Sequence, residues 1–373
     1  MRVLHLLDSL NRGGAETLCL DVCRNAHKHK LDLTFVATGG GDLEAEFAQS
    51  GVDFVRLSRR LPFDLRLVGQ LRELIKERGI EVVHCHQAVE ALHAYFATRG
   101  MGIKRVLSFH LCTADAKNRL ALKYLAPRMD ANVAVSRELL SCLGSEGGFQ
   151  TRKNFQVVYN GVDATRLRET RSGGDDLRDG LKLTESDLLL GMVGNFYADG
   201  RKDQLTVCRA LPEVFARVPD AHFVFVGGYA EAAPQVYQAC VNYCREQGIA
   251  HRVHFLGKRA DVAGVLDALD IFVFSSRQDS FGVAVVEAML AGVPVVVSDI
   301  GALLEVTGGG AHASVFRTGD AVDLSRQLIA LAGDLALCAV RGEGARRWAA
   351  SEFGIETHIG NLLKLYKSLA GVP

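Results

Sequence analysis

Short apolar runs recur along the chain, separated by longer segments in which apolar positions return every third or fourth residue. In the first half, RVLHLL (2–7), LTFVAT (33–38), DFVRL (53–57), EVVHCH (81–86), RVLSFH (105–110) and ANVAVS (131–136) read as strands. Glu16–Lys28, Leu65–Arg78 and Ala88–Thr98 have helical periodicity. The second half repeats the pattern: LLLGMVG (188–194), AHFVFVGG (221–228), RVHFLG (252–257), IFVFSS (271–276), VPVVVSD (293–299) and HASVFR (312–317) predict strands. Helices are expected between them at Asp203–Arg217, Pro234–Gln247, Ala260–Ala268 and Val283–Ala291.

Such alternation predicts an α/β protein, with a parallel sheet covered by helices, a Rossmann-like unit, in each half. Residues 164–187 are polar and carry no long apolar run, which marks them as the linker. The expected domains are 1–168 and 169–354, facing each other across a cleft. An amphipathic helix in 355–373 crosses back onto the first domain.

Composition narrows the class. A chain of 373 residues is too long for one ordinary core, and 48% hydrophobic with 23% charged residues is the balance of a soluble globular protein. A formal net charge of zero excludes nucleic-acid binding by bulk charge. Nine cysteines, an odd number with no CxxC pair, predict buried reduced thiols in a cytoplasmic protein. No window approaches the roughly 20 apolar residues of a membrane span, and the N-terminal apolar run is too short for a signal peptide. The expected location is the cytoplasm, with at most a peripheral contact at the inner face of the membrane.

Ligands of parallel sheets sit beyond the carboxyl ends of the strands, so the chemistry is sought in the loops there. SLNRGGAE (9–16) precedes the first helix. Gly14 would let backbone N–H groups approach an anion, or the glycine pair is an ordinary tight turn. In GNFYADGRKDQLT (194–206), Arg201 and Lys202 stand just before a helix marked by Asp203, where they could neutralise a diphosphate or form a solvated charge cluster. His84 and His86 share one face of a strand end, and His110 ends another. No further metal ligands at suitable spacing accompany them, so no metal is expected. RQDSFGVAVVEAMLAGVP (277–294) holds two acids: Asp279 on a loop and Glu287 inside an apolar helix. An unpaired carboxylate there is costly, so Glu287 needs a protein or ligand partner.

These segments, in this order, resemble the glycosyltransferases of family 4, also called group 1, retaining enzymes of the GT-B fold. GGAE (13–16), HCH (84–86), SFH (108–110), NGVD (160–163), HFLGKRADVAGVLDALDIFVFSS (254–276) and DSFGVAVVEAMLAGVPVVVSD (279–299) carry the resemblance, with GALLEV (301–306), GDAVDL (319–324) and the C-terminal helix. The resemblance implies transfer of a sugar, with retention, from a nucleotide-sugar donor, a UDP-sugar ahead of a GDP-sugar. The acceptor would be a glycan, glycolipid or other hydroxyl in polysaccharide or glycoconjugate biosynthesis. It implies that Glu287 accepts hydrogen bonds from the donor ribose and that Asp279 touches the donor sugar. Ser280, Phe281, Gly282 and Val283 would hold sugar hydroxyls and phosphate by backbone N–H groups. Lys202 would neutralise the leaving diphosphate, His110 would approach the sugar near its reacting centre, and Gly14 and Lys258 would belong to the donor site. With Lys202 and helix dipoles at the diphosphate, and no DxD motif, no metal or other cofactor is expected. Same-face attack assisted by the leaving phosphate is the expected route. A double displacement would need a carboxylate close to the anomeric carbon.

Two positions depart from the family pattern. Asp279 stands where Glu is usual, and Asn195 replaces a common arginine, for which Arg201 could compensate. These departures keep open a catalytically weakened homologue that binds a nucleotide-sugar and assists a partner enzyme. An epimerase or inverting transferase of the same fold is disfavoured by the DSFG…E spacing. Residues 1–163 hold 22 Lys and Arg against 18 Asp and Glu, a net of +4. RLSRRLPFDLR (56–66) and KNRLALKYLAPR (117–128) are accordingly solvated faces or contacts to an anionic membrane.

Overall fold

The computed structural model describes residues 1–112, 116–149, 154–169, 173–231 and 233–371. It divides into two compact units, Met1–Val162 with Phe353–Pro373, and Asp163–Glu352.

The first unit contains seven strands: β1 (Arg2–Leu7), β2 (Asp32–Ala37), β3 (Asp53–Arg56), β4 (Val82–Cys85), β5 (Lys104–Phe109), β6 (Ala131–Ala134) and β7 (Phe155–Val157). They form one parallel sheet in the order β3-β2-β1-β4-β5-β6-β7. The strand order reverses between β1 and β4, which opens a crevice at their carboxyl ends. β7 has no counterpart in the apolar pattern. Three half-buried residues at a sheet edge leave too short a signal.

The second unit contains β8 (Leu188–Val193), β9 (Ala221–Val226), β10 (Val253–Phe255), β11 (Ile271–Phe274), β12 (Val295–Ser298) and β13 (Ser314–Phe316). Its sheet is also parallel, ordered β10-β9-β8-β11-β12-β13, with the reversal between β8 and β11.

The helix Ile355–Ala370 belongs to the first unit. Val162 donates its N–H to the Phe353 carbonyl, and Ile355 donates to that of Val162, which sets the helix on this sheet. Ile355, Ile359, Leu362, Leu365 and Tyr366 then enter the core formed by Val3, Leu7, Leu18, Phe35 and Phe47. Gly161 allows the approach, because a Cβ there would lie 2.5 Å from His358 Cβ.

Residues 164–187 are not a linker. They contain the helices Ala164–Glu169 and Gly173–Gly180, with Leu167 and Leu177 buried, and they lie in the second unit. Polar contacts replace the missing apolar stripe. Arg178 Nη1 donates to the Ala268 carbonyl at 3.0 Å and to Asp270 Oδ2 at 3.2 Å. Residues 170–172 of this segment are outside the described set.

The expectation of nine reduced thiols is also corrected. Cys112, just past β5, is disulfide-bonded to Cys142 on the helix Arg137–Ser145, while the other seven are free and buried. Neighbouring strands bring the two together across 30 residues, which sequence spacing does not reveal.

Candidate active site

In the second unit the loop after β8 runs antiparallel to the start of the loop after β11, with Lys202 bridged to Ser276. Asp203 N–H donates to the Ser275 carbonyl at 3.0 Å, and Ser276 Oγ and Arg277 N–H donate to the Arg201 carbonyl at 2.9 and 2.8 Å. This stitching delivers Lys202 to Asp279, 77 positions later, where ammonium and carboxylate form an ion pair. The ammonium also lies 4.4 Å from the centre of the Phe274 ring. Both side chains are mostly buried, so the pair is screened far less than one on the surface.

The second Asp279 oxygen, Oδ1, accepts from Ser280 N–H at 2.8 Å and from Phe281 N–H at 3.4 Å. The first two N–H groups expected to hold sugar and phosphate thus already have a carboxylate partner. Gly282 turns the chain into the helix Val283–Ala291 with φ of 90°, and a Cβ there would meet Leu303 Cδ2 at 2.7 Å. The helix is apolar all round, as one buried on most sides must be, and it ends at Gly292 with φ of 85°.

Glu287 lies within this helix and is 8% exposed. Its partner is Arg166, whose Nη2 donates to Oε1 at 2.8 Å. The expected ribose is therefore not needed to satisfy the carboxylate. The cation comes from the helix Ala164–Glu169, within the segment read as a linker. Glu287 Oε2 has no partner among the described residues.

The remaining expected donor residues are distributed differently. The Arg201 guanidinium is held by Asp199, Nε to Oδ2 at 2.8 Å, and lies 4.9 Å from the Tyr197 ring centre. The guanidinium that could compensate for Asn195 is thus occupied by Asp199 in this structure. Asn195 is instead a tether, accepting Gly228 N–H on Oδ1 at 2.9 Å. Gly227 permits the close passage of these loops, since a Cβ there would lie 2.2 Å from the Gly194 carbonyl oxygen. Lys258 is exposed, and its stem covers Gly228.

In the first unit, Gly14 opens the helix Gly14–Asn25 after an extended Gly13 with no side-chain cap. His110 is half-buried past the end of β5, and its Nε2 meets His86 Nδ1 at 3.2 Å. Behind it, His84 of the HCH strand end on β4 is joined by residues that no motif announces: His5 on β1, and His358 and Tyr366 on the C-terminal helix. Burial lowers the imidazoles: His5 to about 3, His110 and His358 to about 4, and His84 and His86 well below the usual value. All are therefore neutral at pH 7.

Glu90, on the helix Ala88–Ala97, was also missed. It is 1% exposed, and burial raises its carboxyl to about 7, with the Asp8 charge adding to the effect. Nothing in its helical pattern separates it from an exposed first-turn acid.

The fold and these strand-end loops define a two-domain α/β enzyme of the GT-B type. Residues 12–166 match the family model described as Glycosyltransferase Family 4, and residues 187–334 match Glycosyl transferases group 1. The chain belongs to the group 1 glycosyltransferases and is a transferase. It is 27% identical to N-acetyl-alpha-D-glucosaminyl L-malate synthase of Bacillus anthracis, over 82% of this chain and 79% of that protein. It is 25% identical to UDP-Gal:alpha-D-GlcNAc-diphosphoundecaprenol alpha-1,3-galactosyltransferase of Escherichia coli, over 64% of this chain and 62% of that one. The fold matches that of Anabaena HepE, solved in complex with UDP and glucose, with TM-score 0.85, 20% identity, and coverage of 99% of this chain and 100% of that one. No helix among the described residues is long and apolar enough to cross a membrane.

Proposed function

We propose that this glycosyltransferase is retaining and moves a hexose from a nucleotide-diphosphate sugar, a UDP-sugar first, to a hydroxyl of a glycan or glycolipid. The Lys202–Asp279 pair carries the reading. A mostly buried ammonium whose counter-ion sits on the adjacent loop is poised to exchange that carboxylate for a diphosphate. Leaving-group charge grows as the glycosidic bond breaks, so a cation there lowers the barrier directly. Once released, Asp279 is free to accept a sugar hydroxyl. Glu287 keeps Arg166 on Oε1 and offers Oε2 to a ribose hydroxyl. The complex of the structural relative with UDP and the UDP-Gal in the name of the galactosyltransferase relative support the choice of UDP. With Lys202 supplying the charge, no metal is required, and EDTA should leave the rate unchanged. Incubation with UDP-, GDP- and ADP-sugars tests the reading. UDP-sugar hydrolysis or transfer is expected, with the α-anomer retained. Binding of no nucleotide, or an inverted product, would sink it.

The acceptor is proposed to be lipid-linked, with the first unit resting on an anionic membrane. Leu61, Phe63 and Leu65 are exposed among Arg59, Arg60 and Arg66, and Leu120 and Tyr124 are exposed beside Arg119 and Lys123. Rings join the two groups: Phe63 to Phe96 at 5.2 Å, Phe96 to Tyr95 at 5.3 Å and Tyr95 to Tyr124 at 6.1 Å. Apolar side chains among cations are the composition of an interfacial surface.

A further inference from the structure

Six side chains of the first unit form an unbranched hydrogen-bonded series. His110 Nε2 meets His86 Nδ1 at 3.2 Å, and His86 Nε2 meets His5 Nδ1 at 3.3 Å. His5 Nε2 meets the Tyr366 hydroxyl at 2.9 Å, which also meets His84 Nδ1 at 2.6 Å. His84 Nε2 meets Ser108 Oγ at 2.7 Å. All but His110 are at most 6% exposed.

A neutral imidazole has one N–H and one bare nitrogen, and a phenol has one proton. Burial keeps these rings neutral. If every contact is to be made and the buried phenol is to donate its own proton, the protons must point one way along the whole series. A Tyr366 oxygen accepting from both His84 and His5 would leave its O–H unpaired. Two polarities satisfy that condition, and Ser108 separates them. Its hydroxyl has no other partner among the described residues. If it accepted from His84, its own buried proton would be left without an acceptor, at a cost of about 1–3 kcal/mol. If it donates, every buried group is satisfied. Ser108 O–H then donates to His84 Nε2, His84 Nδ1–H to Tyr366 Oη, Tyr366 O–H to His5 Nε2, His5 Nδ1–H to His86 Nε2, and His86 Nδ1–H to His110 Nε2. His110 is left with its proton on Nδ1, the ring nitrogen that has no protein partner among the described residues.

We infer that Ser108, His84, Tyr366, His5 and His86 are positioning residues that fix His110 as the Nδ1–H tautomer, a hydrogen-bond donor rather than a base. Resting on the proposed function, this means that His110 enters the reaction as a hydrogen-bond donor and takes no proton from the acceptor. The inference about the tautomer itself needs no substrate.

The test is long-range proton–nitrogen NMR of histidine-labelled protein at pH 7, with His110 assigned by its loss in His110→Asn. The expected wild-type signal has Nδ1 protonated and Nε2 bare; the reverse overturns the proposal. Ser108→Ala removes the terminal donor without touching the rings, and Tyr366→Phe breaks the middle. Both should shift His110 toward a mixture of tautomers, and Ser108→Thr, which keeps the hydroxyl, should restore the wild-type signal. Unchanged His110 signals in both Ala and Phe variants would overturn the series. Cys19 lies close enough to His5 and His86 to complete a three-ligand metal cluster. One equivalent of zinc in protein purified without chelator would place a metal between those nitrogens and overturn it as well. With a UDP-sugar as substrate, kcat of Ser108→Ala is expected to fall about tenfold with KM little changed. A shifted tautomer in a protein that turns over no nucleotide-sugar would sink the functional reading and leave the tautomer assignment standing.

Discussion

Arg166 and Glu287, 121 positions apart, meet through Nη2 and Oε1 at 2.8 Å. The contact joins a short polar helix to the apolar helix that carries the family signature. Replacing Arg166 by Met leaves a carboxylate largely buried without its cation. Unfolding free energy should fall by about 2–3 kcal/mol, less than the ~3–5 of a fully buried pair, because Arg166 keeps some solvent. Arg166→Met with Glu287→Gln should recover most of that loss in urea titrations. An equal loss in the double variant would mean that the charge pair is not what stabilises the contact.

Lys202 and Asp279 make a competition experiment. Lys202→Ala should lower kcat by about 10²–10³-fold if the ammonium stabilises the departing diphosphate. Asp279→Asn keeps an acceptor for Ser280 N–H but removes the rival anion. Calorimetry should find UDP bound at least as tightly as by wild type, with slower transfer. Weaker UDP binding by Asp279→Asn would remove Lys202 from the phosphate site.

Glu90 and the buried imidazoles pull stability in opposite directions with pH. Burial pushes the Glu90 carboxyl up to about 7 in the folded chain, against 4.5 when it is exposed in the unfolded one. Its contribution is full below pH 4.5 and is lost as pH rises through 7, because the folded state holds the proton. His5, His110 and His358 are lowered from 6.5 to about 3, 4 and 4. Their contribution is full above pH 6.5 and is lost as pH falls. Glu90→Gln should therefore raise stability by about 2–3 kcal/mol at pH 8 and by little at pH 4.5. Denaturant midpoints across that range read the difference directly, and a gain confined to low pH would reverse the assignment.

Cys112 and Cys142 predict seven titratable thiols in the unfolded, unreduced chain and nine after reduction. Closing a loop across 30 residues constrains the unfolded state, so reduction should cost roughly 3–4 kcal/mol. Nine thiols without reductant would remove the bond.

Leu65 and Leu120 test the membrane surface. Both are strongly exposed, so changing them together to Glu should leave the unfolding midpoint within error. Pelleting with vesicles containing anionic lipid should drop severalfold at low salt. Undiminished pelleting would move the contact elsewhere.

Both sheets were legible because parallel strands buried on two faces leave continuous apolar runs, as in Ile271–Phe274 and Val295–Ser298. β7 and the helix Ala164–Glu169 were not legible, since edge pairing and polar contacts stabilise them instead of apolar stripes. Glu287 was recognisable as an acid needing a partner. The partner was hidden because Arg166 sits in charged sequence that looks like spacer. Lys202 and Asp279 could each be singled out from strand-end position, but their pairing depends on how the β8 and β11 loops are stitched. His110 was readable, whereas its connection to Tyr366 spans most of the chain and leaves no local trace.

The helix Ile355–Ala370, in the segment Phe353–Pro373, completes the core of a unit otherwise built from Met1–Val162. During synthesis, the ribosome has therefore made the whole of Asp163–Glu352 before the first sheet receives its last covering element. The unit begun first is finished last, against the usual order of domain folding. Until then, His5 and His84 lack their shared phenol and the faces of Val3 and Leu18 remain open. During that interval the uncovered apolar faces are the surface most prone to aggregation.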